Sequence, residues 1–474
     1  MFLTTLLLTQ TLSQVDTAPP PEPTEIVVEQ PLRALPGQLD TVRVFNSNSP
    51  ELVGEPGILL STFAPTGMAA PEAHLDVAFK GRFDVFAHHV YKALDFDAEV
   101  PEQLDSLYLG VLIHNPGTVP VEVRVLSGAS YLSQPDAPFI QLPDFVPFSP
   151  LNPVFAGPGS RVMGDILQAR RQDIFPTEMT IAPGQSNLLI NLPIPIRELE
   201  QPINGRSTLV QLESSGEVRL ASLAQIVELD EAGREIPPSL ASWQQLLQNS
   251  GLAGPRDRPP TPLPPAEGVP LIYGRVAGVS EGSQWQATLT DPATDLTNDA
   301  DTAAEAPILT IPAAGEAFSY GISLLYAGTM GTQQVQSAPL IARYPDTAYQ
   351  AHGNYGVHYS LSLPLYNPTD TEKMVTVSLQ TALKEEVLSE GGLRFLEPPG
   401  PQTFFRGPVQ VRYQSDRGFP VIRNLHLVQQ RGQQGEPLAT VTLAPQSSRT
   451  VSVDLLYPPD STPPQVLTVE TMAE

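Results

Sequence analysis

Two short stretches of the chain concentrate the side chains best suited to bind a metal or a small ligand. "GRFDVFAHHVYK" carries His88 and His89, and "YQAHGNYGVHYS" carries His352, Tyr355 and His358. Imidazole nitrogens are common ligands of zinc and copper, so these five residues are the candidate site, placed where the two stretches would meet between domains. The alternative interpretation, which we favour, is that they are partly buried side chains hydrogen-bonded to turns near a domain junction.

A second candidate for metal binding is an acidic segment, "DPATDLTNDADTAAEAP". Its carboxylates are those of Asp291, Asp295, Asp299, Asp301 and Glu305. Oxygen ligands of this kind suit calcium. The segment nevertheless lacks the D-x-D-x-D-G order and the turn glycine of a calcium-binding loop. We therefore expect a solvated acidic insertion and no metal site.

No motif of a known catalytic centre is present. The chain contains no G-x-S-x-G, no H-E-x-x-H and no glycine-rich phosphate loop. It also contains no cysteine, which excludes disulfides, thiolate metal sites and cysteine nucleophiles. A pair of Asp or Glu residues acting as in glycosidases needs no local motif, so this chemistry stays open. No catalytic residue and no cofactor is predicted.

The composition favours β structure and disfavours two classes of partner. Proline supplies 52 of 474 residues, about twice its ordinary share, and it sits in turns and at strand edges rather than inside helices. The net charge is −25, which repels nucleic acid and anionic lipid surfaces. We expect no nucleic-acid partner and no transmembrane segment.

The first residues are typical of an export signal. Phe2 to Leu12 is apolar but too short to span a bilayer, and a proline-rich spacer follows at residues 16–31. No basic residue precedes Arg33 and no A-x-A cleavage site is present, so an unstructured tail is the alternative. We expect residues 1–15 to be a signal peptide and the protein to be periplasmic or secreted.

A repeated pattern indicates how the rest of the chain is organised. "LIHNPGTVPVEVRVL" and "LPLYNPTDTEKMVTVSL" each place Asn-Pro between two alternating runs, at Asn115 and Asn367. "MTIAPGQSNLLINLPIP" and "VTLAPQSSRTVSVDLLYPP" follow in the same order. Asn before Pro ends a strand and opens a turn, and short strands with regular turns are typical of β-sandwiches. The pattern predicts an all-β protein of tandem, immunoglobulin-like sandwich domains that arose by duplication.

The predicted domains are residues 32–254 and 271–474, joined by a stiff proline-rich linker at residues 255–270. Ser207 to Leu229 is predicted to form a hairpin that turns at Ser214-Ser215-Gly216. A helix is predicted from Ser239 to Asn249, with Ser239 as its cap. A second short helix is predicted from Ile166 to Ile174.

Segments across nearly the whole chain resemble a family of cyanobacterial exported proteins of unknown function. They are "ALPGQLDTVRVFNSNSPELV", "GRFDVFAHH", "LSQPDAPFI", "NGRSTL", "GLAGPRDR", "YGRVAGV", "YPDTAYQAHGNYGVHY", "QQRGQQGEP" and "LLYPPDSTPPQVLTV". The start without basic residues and the acidic insertion depart from the family pattern. The resemblance implies an exported location, and it implies no activity and no functional residues.

These observations predict a non-enzymatic extracytoplasmic protein of the envelope or matrix, with a structural or binding role. Its partner would be an envelope polysaccharide or another envelope protein. Two alternatives stay open: a secreted carbohydrate-active hydrolase that uses an Asp/Glu pair, and a periplasmic metal- or ligand-binding protein. A cleft between the halves lined by paired carboxylates and aromatic rings would favour the hydrolase. Convergence of the histidines would favour metal binding.

Overall fold

The protein is built mainly from β-strands, as predicted. The computed structural model describes residues 22–93, 104–149, 151–291 and 307–473. Strands account for 47% of the described residues and helices for 6%. The predicted signal peptide and residues 16–21 of the spacer lie outside the described residues. Within these ranges, no helix combines the length and the apolar character needed to cross a membrane.

The strands follow one another from end to end of the described chain. In the first half they are β1 (Thr24–Val28), β2 (Leu32–Arg33), β3 (Arg43–Asn48), β4 (Leu52–Val53), β5 (Gly57–Ser61), β6 (Phe79–Lys92), β7 (Leu107–His114), β8 (Val121–Leu132), β9 (Phe145–Pro147), β10 (Glu178–Ile181), β11 (Ser186–Ile194), β12 (Ile203–Ile226), β13 (Glu228–Leu229) and β14 (Glu235–Ile236). In the second half they are β15 (Val276–Glu281), β16 (Gln284–Thr288), β17 (Leu309–Thr310), β18 (Ala317–Ile322), β19 (Ala338–Arg343), β20 (Gln350–Ala351), β21 (His358–Tyr366), β22 (Lys373–Gln380), β23 (Leu393–Glu397), β24 (Thr403–Gln414), β25 (Pro420–Gln430), β26 (Pro437–Leu443), β27 (Ser448–Leu456) and β28 (Gln465–Thr471).

The hairpin predicted over Ser207–Leu229 is wrong, because β12 is one continuous strand whose two parts pair with different strands. Its first part pairs with β6 and β8, and its second part pairs with β5 and β7. The predicted turn residues form an irregularity where the register shifts between Ser214 and Val218. A side chain on Gly216 would lie 2.6 Å from Val121, so glycine is needed there for close approach to β8. Turn-type residues therefore bend the strand without reversing it.

The second half of the chain forms two sheets that pack face to face. One sheet has the order β16-β21-β27-β24-β25-β9, with β17 also on β21, and the other has the order β2-β18-β28-β22-β26. Alternate residues of both sheets point into one apolar core. Tyr359, Val377, Val411, Val453 and Leu467, from five different strands, are at most 1% exposed in this core.

Strands from each half of the chain complete the sheets of the other half. β15 pairs with β3, and β19 pairs with β15, so the second half extends the sheet of β6 and β12. In the opposite direction, β9 pairs with β25, β2 with β18 and β1 with β23. Strand pairing therefore crosses the predicted boundary at residues 255–270. The division into residues 32–254 and 271–474 stays a prediction about folding units.

The proline-rich linker folds back on itself rather than running extended. At its start, the carbonyl of Gly254 accepts a hydrogen bond from the amide of Gly54 at 2.8 Å. Further along, Thr261 binds the carbonyl of Ile272 through its amide at 2.8 Å and that of Pro270 through its hydroxyl at 2.9 Å. The Thr261 contacts close a loop within the linker, and the Gly254 contact holds its start against the first half of the chain.

Two α-helices lie within the described residues. α2 (Leu240–Asn249) confirms the helix predicted at this position, and the Ser239 hydroxyl caps it by accepting from the amide of Ser242 at 3.1 Å. The helix predicted over Ile166–Ile174 is displaced: α1 runs from Pro158 to Leu167. Its start was encoded by proline at the first helical position, and the chain leaves the helix where Ala169 adopts a positive φ of 53°.

Helix α1 lies between the two halves and packs against β8 and β12 of the first half and β24 and β27 of the second. Its apolar face packs into a buried cluster that contains residues of the first half, among them Phe86 and Leu209, and also Leu456 of the second half. Gly159 of α1 lies so close to the second half of the chain that an added side chain would be 2.3 Å from Pro459. The junction is therefore packed around α1, and a cleft lies beside this helix.

Candidate functional site

The cleft beside α1 at this junction has a volume of about 700 Å³. We call it the junction cleft and define it by five of its lining residues, Glu51, His88, Phe139, Ile203 and Asp460. Four of them come from the first half of the chain and Asp460 comes from the second. A volume of about 300–1,000 Å³, a position at an interface and a mainly apolar lining with a few polar groups are common features of ligand pockets.

His88 reaches the cleft because of its position on β6. It lies directly opposite Ser207 of β12 in the sheet, and the ring Nδ1 and the Ser207 hydroxyl are 2.7 Å apart. Alternation along the strand puts Phe86 and His88 on the same side, and Phe86 is packed in the junction core. His88 is only 9% exposed. Burial lowers the pKa of His88 to about 4, so the ring is neutral at neutral pH.

The Glu51 carboxylate stands beside this ring. Its Oε1 lies 4.0 Å from His88 Nε2, which is too far for a direct hydrogen bond. Its other oxygen forms an ion pair with Arg275. Arg275 belongs to the second half of the chain, so this pair also ties the two halves together beside the cleft.

Asp460 closes the opposite side of the cleft at the first turn of α1. Its Oδ2 accepts hydrogen bonds from the amide of Ser160 at 2.8 Å and from the Ser160 hydroxyl at 3.2 Å. The carboxylate thus caps the helix across a sequence separation of 300 residues. Burial raises the pKa of Asp460 to about 6, although these hydrogen bonds and the charge of Arg406 oppose the rise.

Apolar side chains form the floor and rim between these polar groups. The Phe139 side chain is 55% exposed and that of Ile203 is 36% exposed, although both are large and apolar. The guanidinium of Arg406 lies 5.1 Å from the centre of the Phe139 ring. An exposed aromatic ring beside fixed carboxylates is a surface on which a ligand can stack.

The other candidate residues from the sequence have separate partners. His89 points to the other side of β6, where its ring nitrogens lie 3.0 Å from the Ser47 hydroxyl and 2.8 Å from the Pro50 carbonyl. His352 Nε2 donates to the carbonyl of Gly274 at 3.0 Å. These two histidines therefore contribute no side chain to the junction cleft.

His358 lies on the outer face of the sheet of the second half. Its Nε2 is 3.1 Å from Asp454 Oδ1, while Asp454 Oδ2 accepts from Arg412 at 2.6 Å. Burial acts to raise the pKa of Asp454, but hydrogen bonds from His358 and Ser360 and the charge of Arg412 outweigh it, so the pKa lies below its usual value. This arrangement is a hydrogen-bonded network centred on the buried carboxylate of Asp454.

Tyr355 shows that the two histidine stretches do meet, although their imidazoles do not form one cluster. The ring of Tyr355 packs 6.3 Å from that of Phe86 in the junction core. Among the residues that the structure describes, no group of three or more His, Asp or Glu side chains is placed to hold a metal ion. In the acidic segment, Asp291 accepts hydrogen bonds from Thr310, and Asp295, Asp299, Asp301 and Glu305 lie outside the described residues.

Sequence reasoning identified His88 but missed the other residues of the cleft. Glu51 lies 37 positions before His88, and Asp460 is separated from it by most of the chain. Only the pairing of strands between the two halves and the packing of α1 bring these residues together, so no local spacing in the sequence could reveal the site. The one local signal was "FAGPGSR", in which Gly157-Pro158 starts a helix whose first turn meets Asp460.

Solved structures similar to this chain include Lac15 from a marine microbial metagenome (11% identity, 83% of this chain and 53% of that chain, TM-score 0.11), the coconut allergen cocosin (10%, 90% and 86%, TM-score 0.09) and procruciferin, an 11S globulin from Brassica napus (12%, 90% and 85%, TM-score 0.09). The chain thus spans about half the length of the first of these. At these TM-scores the similarity does not define a shared fold.

No curated protein matches the sequence. A family model does match it, from residue 30 to residue 471, which includes every strand from β2 to β28 and both helices. The match therefore takes in both halves of the chain and the junction cleft between them. The chain belongs to this family, which is described as "Protein of unknown function (DUF3370)".

Proposed function

We propose that this protein is a non-enzymatic extracytoplasmic binding protein of the cell envelope, and that the junction cleft holds its ligand. The observation that carries the proposal is the position of this cleft, which opens beside α1 at the packed junction and is lined by both halves of the chain. Strand exchange holds the cleft walls in fixed positions, and a preformed site of this kind suits binding.

Sequence features support the extracytoplasmic location. The apolar run from Phe2 to Leu12 is typical of an export signal, and the segments that resemble cyanobacterial exported proteins extend across the chain. We further propose that the two halves are related immunoglobulin-like sandwiches. The paired sheets of the second half and the repeated Asn-Pro corners support this part of the proposal.

Location and binding can be tested in one set of experiments on the native cell. Residues 1–31 fused to an alkaline phosphatase without its own signal should give an active enzyme, because this enzyme matures only outside the cytoplasm. The tagged full-length protein should then fractionate with the envelope and retain an envelope component. An inactive fusion together with full-length protein in the cytosol would overturn the proposed location.

One observation favours a second candidate, a secreted carbohydrate-active hydrolase. The cleft holds two carboxylates in different surroundings: burial raises the pKa of Asp460 to about 6, while Glu51 is paired with Arg275. Glycosidases use such a difference to assign the general acid and its partner. If this function is correct, release of reducing sugar from an envelope polysaccharide should be lost in Asp460→Asn. No release by the unmodified protein would exclude it for that polysaccharide.

A further inference from the structure

The chemistry of the junction cleft narrows the class of ligand, and this inference rests on the binding function proposed above. Most polar groups on one wall are already engaged with each other. The Asn204 amide oxygen accepts from the Ser133 hydroxyl at 2.7 Å and from the amides of Gln134 and Gly205, each at 3.0 Å. The polar side chains that remain for recognition are therefore the buried His88 and the half-buried Glu51, beside the exposed amide of Gln134.

His88 offers one free polar atom to the cleft. Nδ1 is held by Ser207, while Nε2 has no hydrogen bond to any described residue. The neighbouring Glu51 carboxylate favours the tautomer in which the Ser207 hydroxyl donates to Nδ1 and Nε2 carries the proton. The cleft thus presents a buried N–H donor and a carboxylate acceptor that lie 4.0 Å apart.

One atom can satisfy both groups. An oxygen placed about 2.8 Å from each fits between them at ordinary hydrogen-bond lengths. That oxygen must accept from His88 and donate to Glu51. A hydroxyl group does both, whereas an ammonium group cannot accept, and a fully ionised phosphate or carboxylate cannot donate.

The charge balance of the cleft also favours a neutral ligand. Glu51 is paired with Arg275, and Asp460 caps α1 in the field of Arg406. Each carboxylate therefore already has its cationic counterpart. A charged ligand would lose its hydration without gaining an unpaired opposite charge.

The apolar side chains of the cleft are also suited to a sugar ring. The ring of Phe139 is more than half exposed next to these polar groups, with Ile203 also partly exposed. A sugar ring has hydroxyls on its edge and a face of C–H groups that can lie against an aromatic ring. We propose that the junction cleft binds a neutral saccharide, with one hydroxyl bridging His88 Nε2 and the Glu51 carboxylate and one sugar face on Phe139.

The test uses the full-length protein and named probes: glucose, N-acetylglucosamine, maltotriose and cellotriose, with glucosamine and glucose 6-phosphate as charged comparators. Saturation-transfer NMR and calorimetry measure binding to the unmodified protein and to Phe139→Ala and Glu51→Gln. The matched controls are Phe419→Ala, an exposed ring outside the cleft, and Glu213→Gln, a carboxylate paired with Arg124 on the surface.

At least one neutral saccharide should bind, and each cleft variant should weaken it about tenfold or more. The two controls should change the affinity by less than about twofold. Absence of binding by all four neutral probes, tighter binding of a charged comparator, or equal losses in cleft and control variants would each overturn the inference. Glu51→Gln also removes the ion-pair partner of Arg275. If that variant does not fold, the saccharide affinity of Phe139→Ala decides the test.

The same variants separate this inference from the proposed function. If the unmodified protein retains an envelope component that Phe139→Ala loses, while no neutral saccharide binds, the binding function stands and the saccharide class is wrong. If the protein retains no envelope component and binds no probe, both fail.

Discussion

Asn115 and Asn367 make the same hydrogen bonds at equivalent corners of the two halves. The Asn115 amide nitrogen donates to the carbonyl of Val119 at 2.7 Å and to that of Ile181 at 2.9 Å, and its oxygen accepts from the amide of Gly117 at 2.9 Å. The side chain thereby fixes the turn that follows β7 and ties it to the end of β10.

The Asn367 side chain repeats each of these contacts. Its amide nitrogen donates to the carbonyl of Thr371 at 2.8 Å and to that of Leu443 at 3.0 Å, and its oxygen accepts from the amide of Thr369 at 3.0 Å. Both asparagines are 0% exposed. The flanking strands pair alike, with β7–β11 and β8–β10 in one half and β21–β27 and β22–β26 in the other. The repeat seen in the sequence therefore corresponds to a shared four-stranded corner.

Asn115→Ala and Asn367→Ala should each destabilise the protein by about 2–3 kcal/mol, because buried carbonyl and amide groups would lose their partners. Urea denaturation measures the free energy of unfolding. Asn249→Ala, an exposed residue at the end of α2, is the matched control and should change it by less than about 0.5 kcal/mol. Losses no larger than that of the control would show that the corners are not structural anchors.

Local signals in the sequence were enough for these corners and for α2. Asn-Pro, Ala-Pro and the Ser239 cap act within a few residues, so their physical effect can be read from adjacent positions. Ser214-Ser215-Gly216 shows the limit of this approach. The same residue types that reverse a chain also permit a bend, and pairing with β5 and β7 beyond the bend keeps β12 running forward.

The parts of the fold that the sequence did not predict depend on pairing between strands that are far apart in the chain. β15 follows the proline-rich linker, yet it pairs with β3, more than 200 residues earlier. For the candidate site, Phe86 of the first histidine stretch packs against Tyr355 of the second. Whether an imidazole reaches the cleft depends on the face of the sheet to which its strand position points and on where α1 packs. The position of Glu51 beside His88 depends on the same two factors.

Gly110→Ala should destabilise the protein by about 1–3 kcal/mol through overpacking. An added side chain at Gly110 would lie 2.5 Å from the ring of Trp243, which is fully buried and held by a hydrogen bond from Nε1 to Asn191 at 3.1 Å. Gly251→Ala is the control, since nothing lies within 4 Å of an added side chain there. Equal stabilities of the two variants would contradict this packing of α2 on β7.

The two halves should unfold together. Since β9, β15 and β19 each complete a sheet of the other half, neither half has a complete set of strands by itself. Differential scanning calorimetry of residues 22–474 should give one transition whose calorimetric and van't Hoff enthalpies agree. Residues 271–474 expressed alone should show no cooperative transition. Two resolved transitions in the long chain would mean that strand exchange does not couple the halves.

Stability should fall as the pH is lowered from about 7 to about 5. Burial lowers the pKa of His88 and His89 to about 4 and that of His426 to about 3, against an ordinary value of 6.5. Between these values the unfolded chain binds more protons than the native protein, so acidification favours unfolding. Asp460 and Asp84 act in the opposite direction, because burial raises the pKa of both carboxyls, that of Asp460 to about 6. Burial also lowers the pKa of His74, His114 and His352, so six imidazoles oppose two carboxyls.

His89→Gln tests this origin of the pH dependence. The amide keeps a donor and an acceptor for Pro50 and Ser47 but does not titrate. The free energy of unfolding from urea curves at about pH 7, 6 and 5 should decline less steeply in the variant, by on the order of 1–2 kcal/mol over this range. Parallel declines in the variant and the unmodified protein would mean that His89 is protonated equally in the folded and unfolded states, contrary to its burial between β3 and β6.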